Sequence, residues 1–520
     1  MTRDFLPLNR RQAMQTAATS LALACGAARA QSTDPASVMI VGPWEISGLA
    51  PASSGHVFSR LQITETLLGA HDDGSPAPAL AERWTVSPDG LEWRFFLRPA
   101  ARFHDGTPVT VAAVLTCLQA ARKPPSLLAQ APIAALQAEG ARTVLIRLST
   151  RHAGLLARLA HSSTMVLAPS SFDASGKVVA IVGSGPYRIE ALRPPQSVAA
   201  VAFDGYDGAR PAIEAVRYLA VGRSETRALM AESGQADLAY GLDPISLTRL
   251  ARRGQLQIEA VTLPRTAVIK VNAGLPALRD PRARQALSLA IDRVGIAKAL
   301  LRDGELAATQ LFPPSLALWH DPGLPPLHHD PEAAARLLHA AGWRRGAGGL
   351  RDGAGQPLRL SLRSYIDRPE LPVIATALQE QWRQAGIAVE VLIGNSGDIP
   401  RTHRDGTLEL ALMARNYGSV PDPTMGLLQD FAPEGSDWGA MGWRDARMAQ
   451  ALAELARGGA APERTTALRR EVTAALQHGL PVIPVAWYRQ QVTVGPRLSG
   501  VSLDALERSY RLSAMEWKKK

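Results

Sequence analysis

Large apolar side chains fall at every second position in Trp84-x-Val86 and in Leu91-x-Trp93-x-Phe95-x-Leu97, the period of half-buried strands. Between them Ser87-Pro88-Asp89-Gly90 supplies a turn, proline presetting φ and glycine accepting a positive φ, so the stretch predicts a hairpin. A second turn, His104-Asp105-Gly106-Thr107-Pro108, leads to Thr110, whose hydroxyl is placed to cap a helix beginning Val111-Ala112-Ala113-Val114. Strands are expected over 38–41, 213–221 and 266–272, and a hairpin over 133–148. Helical spacing predicts helices over 58–69, 225–233 and 281–301, with Ala283, Ala286, Leu287, Ala290, Ile291 and Val294 on one face of the last. Asp330-Pro331-Glu332 opens another helix, which Gly342 stops. Residues 358–363, 373–385, 388–392 and 408–413 form a βαβ-like series, and helices over 445–457 and 463–477 lead to a strand at 481–485.

At 520 residues the chain exceeds one ordinary core, so two or more α/β lobes are expected. Apolar content of 46% with 20% charge is that of a soluble globular protein. The net charge of +10 comes from basic residues of which all but seven are arginine, spread along the chain. Without a clustered patch or a fold motif that balance describes a solvated surface, and nucleic acid is not an expected partner.

Residues 1–30 have the three parts of an export signal: a basic region ending at Arg10-Arg11, an apolar stretch over 13–25, and the small-residue cleavage site Ala28-Arg29-Ala30. Asn9-Arg10-Arg11-Gln12 is similar to a twin-arginine motif, and a merely basic region is the alternative. A rival cut makes Cys25 a lipid-modified N-terminus, although Ala22 makes a poor lipobox. Export to the periplasm is the expected localisation. With Cys25 in the leader, Cys117 stands alone in an apolar run and reads as a buried small hydrophobe.

Several of these stretches resemble a known family. LAERWTVSPDGLEWRFFLRPAARFHDGTPVTVAAV at 80–114, Gly183-Ser184-Gly185-Pro186-Tyr187, RQALSLAIDR at 284–293 and Asp330-Pro331 through Ala341-Gly342-Trp343 are similar to motifs of the extracytoplasmic solute-binding proteins of peptide/nickel ABC importers, the dipeptide/oligopeptide-binding type of family 5. Ala113 departs from the pattern, standing where an acidic residue would complete a capping box with Thr110. The resemblance implies an α/β, two-lobed periplasmic-binding-protein fold with hinge crossings. It implies lobe I over 31–265 and 481–512, an extra subdomain inserted at 57–180, and lobe II over 266–480. It further implies a monomer that delivers a small-molecule or peptide ligand to a membrane ABC permease, with no cofactor.

Catalytic signatures are missing from the sequence: there is no G-x-S-x-G elbow, H-E-x-x-H, phosphate-binding loop or dinucleotide fingerprint. His328-His329 are adjacent in a proline-rich stretch, and neighbours of that kind seldom converge on one ion. Short peptides captured in an interlobe cleft are the first functional reading. By resemblance, Asp422 in the stretch from Arg415 to Pro423 is the candidate for a peptide ammonium, and Arg368, before a proline, for its carboxylate. Tyr417 and Trp438 are candidate pocket walls, and Arg415 belongs to the same loop. Each has a plainer reading: Asp422 as a turn starter, Arg368 as a surface ion pair, Trp438 and Trp443 as packing residues. Nickel or a metal chelate is the alternative cargo. It is weakened because no histidine falls between His403 and His478, where nickel-chelate members carry one. An exported hydrolase is the competing reading from another class.

Overall fold

The computed structural model describes residues 37–519 except 255, 347, 367, 369 and 433. The leader, with both readings of its cleavage, lies outside the described residues.

Strand β1 (Ser37–Gly42) begins lobe I. The expected hairpin forms as β2 (Ala81–Val86) and β3 (Glu92–Leu97), with Gly90 at φ +72° in the turn. Thr110 caps helix Val111–Ala121 by accepting the Ala113 N–H at 3.2 Å, so the cap forms without the acidic partner of a capping box. Strands β4 (Ile133–Glu139) and β5 (Thr143–Leu148) complete a four-stranded antiparallel sheet in the order β2-β3-β5-β4. Phe95, Leu118 and Ile146 of this region share one buried cluster with Val38, Ile40 and Val216. Its stability is therefore tied to that of lobe I. Cys117 is buried in the cluster, and burial pushes its thiol up to about 11, which leaves it an inert hydrophobe.

Strands β6 (Tyr187–Arg193), β7 (Ser197–Ala202), β8 (Ala215–Ala220) and β9 (Leu238–Tyr240) finish the first pass through lobe I. The long strand β10 (Gln257–Val271) then carries the chain into lobe II. There β11 (Arg359–Tyr365), β12 (Ala388–Gly394) and β13 (Leu410–Asn416) pack with helix Glu370–Gln384, whose Leu371, Ile374, Leu378 and Trp382 are buried. Strand β14 (Val482–Val494) brings the chain back.

One ten-stranded sheet runs through both lobes in the order β12-β11-β13-β10-β14-β9-β1-β8-β7-β6. Strands β10 and β14 lie antiparallel from Gln257↔Val494 to Lys270↔Val482, with register breaks at Leu263/Thr266 and Ala267/Val268. Such irregularities bend and twist a ladder. Here they coincide with the change from one apolar core, which gathers residues between Val38 and Met515, to the other, between Ala267 and Ala486.

Two expected helices differ. The first runs over Pro51–Arg60 instead of 58–69, because the chain turns at Gln62, whose φ is +53°. The segment after it is clamped by the Gly183-Ser184-Gly185 turn: a Cβ would stand 2.2 Å from Ile63 O at Gly183 and 2.1 Å from Gln62 O at Gly185. Glycine is needed there for close backbone approach. The helix expected over 281–301 is two, Pro281–Leu289 and Arg293–Leu300. Asp292 caps the second by accepting the Gly295 N–H at 2.8 Å, and the break turns Val294 outward, to 48% exposure. Arg293 is buried and donates from Nε to Pro484 O on β14, at 2.8 Å, and to Ser288. The last two residues of the RQALSLAIDR motif thus make the break: Asp292 caps the second helix and Arg293 ties the pair to the returning strand.

Candidate solute-binding cleft

A cavity of about 980 Å³ lies between the lobes. Lobe I lines it with Trp44, the end of helix Pro51–Arg60, the segment around Glu65 and the C-terminal stretch around Glu507. Arg265 from β10, Arg368 after β11 and the loop 416–421 after β13 close the other side. These are the loops at strand ends and the bend in β10, positions that a rigid sheet holds in place.

Arginines gather at one end. Arg60 is buried, with its guanidinium carbon 4.4 Å from the Trp44 ring centre, and its Nε donates to the Glu507 carbonyl oxygen at 2.8 Å. Its Nη2 is 3.7 Å from Glu507 Oε1. Arg265 Nη2 donates to Glu507 Oε2 at 2.9 Å, while its buried Nε has no hydrogen-bond partner. Arg368 faces the Tyr488 ring at 5.4 Å, and the Tyr488 hydroxyl donates to Glu370 Oε1 at 2.7 Å. No carboxylate lies within ion-pair distance of Arg368 among the described residues. Arg60 and Arg265 therefore share one carboxylate, Glu507, and Arg368 lines the same cavity with Arg265, both guanidinium groups lying over the Tyr488 ring.

The other acids that line this cavity are already engaged. Arg98 grips Glu65 with two bonds of 3.1 Å, and burial raises the Glu65 pKa against that pull. Asp504 is held by Arg508 at 2.9 and 3.0 Å, and Asp72 pairs with Arg511. His161 adds a neutral donor. Its Nδ1 accepts the Ser163 N–H at 3.1 Å, which puts the ring proton on Nε2. Burial, and then His56, pushes its pKa down to about 4, so it stays neutral at pH 7. Five arginines (Arg60, Arg265, Arg368, Arg508 and Arg511) thus line the cavity against four acids (Glu65, Asp72, Asp504 and Glu507), an excess of positive charge that favours an anion.

Of the five candidates from the sequence, Arg368 lines this cavity. Arg415, Asp422 and Trp438 line a neighbouring space of about 350 Å³ between the 127–158 region and lobe II. Arg415 is locked on Asp430 by bonds of 2.6 and 2.8 Å. Asp422 Oδ1 accepts from Thr424 N at 2.9 Å and Thr424 Oγ1 at 2.6 Å, the plainer turn-starting role, and Oδ2 lies 3.8 Å from Arg469 Nη2. Tyr417 is a correction: it is 5% exposed in the lobe II core, its ring edge-on to Phe312 at 5.2 Å, because its backbone N–H is held by Pro264 O at 2.7 Å. Gly418, next to it, has no room for a side chain, since a Cβ would lie 2.1 Å from Pro264 Cγ. Trp443 is a packing residue against Phe431. Arg60, Arg265, His161 and Glu507 went unnoticed in the sequence. They sit in stretches that only the fold brings together, and none belongs to a spaced motif.

Residues 75–438 match the model of the bacterial extracellular solute-binding proteins, family 5. The nickel-binding periplasmic protein of Escherichia coli (strain K12) is 27% identical over 498 residues, 92% of this chain and 94% of that protein. The glutathione-binding protein GsiB of the same strain is 28% identical over 325 residues, 61% of each chain. In fold, the chain resembles NikA from Brucella suis, crystallised in complex with Fe(III)-EDTA, with a TM-score of 0.82, 24% identity, and coverage of 93% of this chain and 100% of that one. Among the described residues no helix is long and apolar enough to cross a membrane. The chain belongs to the family 5 bacterial extracellular solute-binding proteins, the receptors of ABC importers.

Proposed function

We propose that this protein works outside the cytoplasmic membrane, captures a small solute richer in carboxylates than in ammonium groups, and passes it unchanged to an ABC permease. The observation that carries this reading is the trio Arg60, Arg265 and Arg368 in the cavity wall, where Arg60 and Arg265 share the one carboxylate of Glu507 and Arg368 pairs with no acid among the described residues. Burying such a cluster is costly unless an anion completes it, and a guanidinium grips a carboxylate with two parallel bonds. A zwitterionic peptide would also need a free acid for its ammonium. Asp422, expected in that role, is engaged with Thr424 and Arg469. Short peptides remain within the reading when they carry extra carboxylates, as glutathione does. Carboxylate chelates of a metal form the second reading, supported by the same arginine excess and by the names of the nickel-binding relative and of the Fe(III)-EDTA complex.

Titration calorimetry tests this. Glutathione, citrate, and nickel or iron chelates of citrate and EDTA are set against trialanine and maltose. At least one polycarboxylate should bind with a Kd near micromolar, about −8 kcal/mol. Arg368→Ala should weaken it by about 1.5–3 kcal/mol, the worth of a charge-assisted bond. Binding of trialanine alone, indifferent to Arg368→Ala, would overturn the proposal.

A further inference from the structure

A second, smaller cavity of about 180 Å³ opens off the main one, and the two share Gly69, Ala70, Ala160 and Pro421 in their walls. Its character is different. Leu156 comes from lobe I, while Leu316, Leu318, Trp319 and Pro423 come from lobe II. Leu318 is 44% exposed, an uncovered large apolar side chain at the edge of a polar cleft. At the rim Asp73 Oδ1 accepts from Ser75 N and Oγ at 2.9 and 2.7 Å and Asp422 holds Thr424, while Trp319 Nε1 and Arg469 Nε in the wall are buried without a hydrogen-bond partner. At the far side the Arg469 guanidinium lies 5.7 Å from the Trp319 ring centre, spread over its face. Where the lobes meet at this cavity, Gly74 of lobe I approaches Pro421 of lobe II so closely that a Cβ would stand 2.2 Å from Pro421 O. The cavity is thus assembled from both lobes.

We infer that this side pocket takes an apolar arm of the bound solute, a branched aliphatic or aromatic group, while the arginine trio holds its carboxylates. The inference rests on the carboxylate reading above and specifies the rest of the molecule. A volume of 180 Å³ holds roughly six water-sized atoms, the size of a leucine or phenylalanine side chain. Because the walls belong to different lobes, burying that arm favours the shut arrangement as well as the bound one.

The test uses the mature full-length protein, the dipeptides Ala-Glu, Leu-Glu and Phe-Glu, and citrate, all by calorimetry. Leu-Glu and Phe-Glu should bind at least about tenfold more tightly than Ala-Glu, the ratio that burial of the larger side chain implies. Leu318→Asp, which places a charge in the pocket, and Leu318→Trp, which narrows it, should each reduce Leu-Glu and Phe-Glu to the affinity of Ala-Glu. Arg368→Ala should weaken all three by the same factor. Equal affinities in the wild-type protein, a preference that survives both Leu318 variants, or binding of citrate with none of the dipeptides would overturn the side pocket and leave the carboxylate reading standing. Failure of citrate, the dipeptides and the metal chelates alike would overturn both.

Discussion

Burial keeps three lobe I histidines neutral. His104, His152 and His161 all have pKa values pushed down to about 4, with desolvation the largest cause in each. Unfolded, each would titrate near 6.5. The unfolded chain therefore binds more protons than the folded one between those values. The contribution of the three to stability is complete above pH 6.5, shrinks as the pH falls, and is lost by about pH 4. Urea midpoints measured from pH 7.5 to 4.5 should fall, and replacing His152 and His161 with glutamine should flatten that fall. At Asp422 the matter is hydrogen-bond geometry. Asp422→Asn keeps an acceptor for Thr424 and should leave thermal stability nearly unchanged, whereas Asp422→Ala should cost about 1 kcal/mol. Neither should alter citrate or glutathione affinity more than about twofold, well short of the effect of losing an ion pair.

Among the elements, those with strong local punctuation were legible in advance. The β2–β3 hairpin carries its own alternation and turn, the Thr110 cap its own hydroxyl, and the helix Pro331–Ala340 its Asp330 cap and its stop at Gly342, which takes φ +96°. Elements shaped by distant contacts were not. The break between Pro281–Leu289 and Arg293–Leu300 depends on Arg293 reaching Pro484 on β14, a partner no periodicity can announce. The Gln62 turn similarly depends on Gly183 and Gly185 pressing on the preceding backbone. For the site, Arg368 stood out beside its proline, but Arg60 and Arg265 acquire meaning only when Glu507 from the far end of the chain lies between them. Asp292→Ala should test the break directly. Loss of the cap to Gly295 should lower stability by about 1 kcal/mol, read as a shift in the urea midpoint.

Across the whole molecule, the lobes are joined by neighbouring strands of one sheet. Under the proposed capture of solute between the lobes, closure should bend this shared ladder at its register breaks and leave the pairs on either side intact. Hydrogen exchange should show the β10–β14 amides away from Leu263–Val268 protected with and without solute. The turn at 71–75 and the loop at 418–421, which meet at Gly74 and Pro421, should gain protection when solute binds. A matching decrease in radius of gyration by X-ray scattering would accompany it. Moving from mostly open to mostly shut requires about 5 kcal/mol of preference of the solute for the shut form.

The return of β14 and the residues after it has a further effect on how this receptor is made. Glu507, Arg508 and Arg511 reach the cleft from the last part of the chain, and β14 supplies the partner that links β9 to β10. A polypeptide whose synthesis stops before residue 480 could still gather most of the second apolar core, yet it would have neither a complete wall for cargo nor a spine between its halves. Competence arrives only once residues 480–511 have been made, so a copy that stops earlier has little means of competing with longer ones for solute.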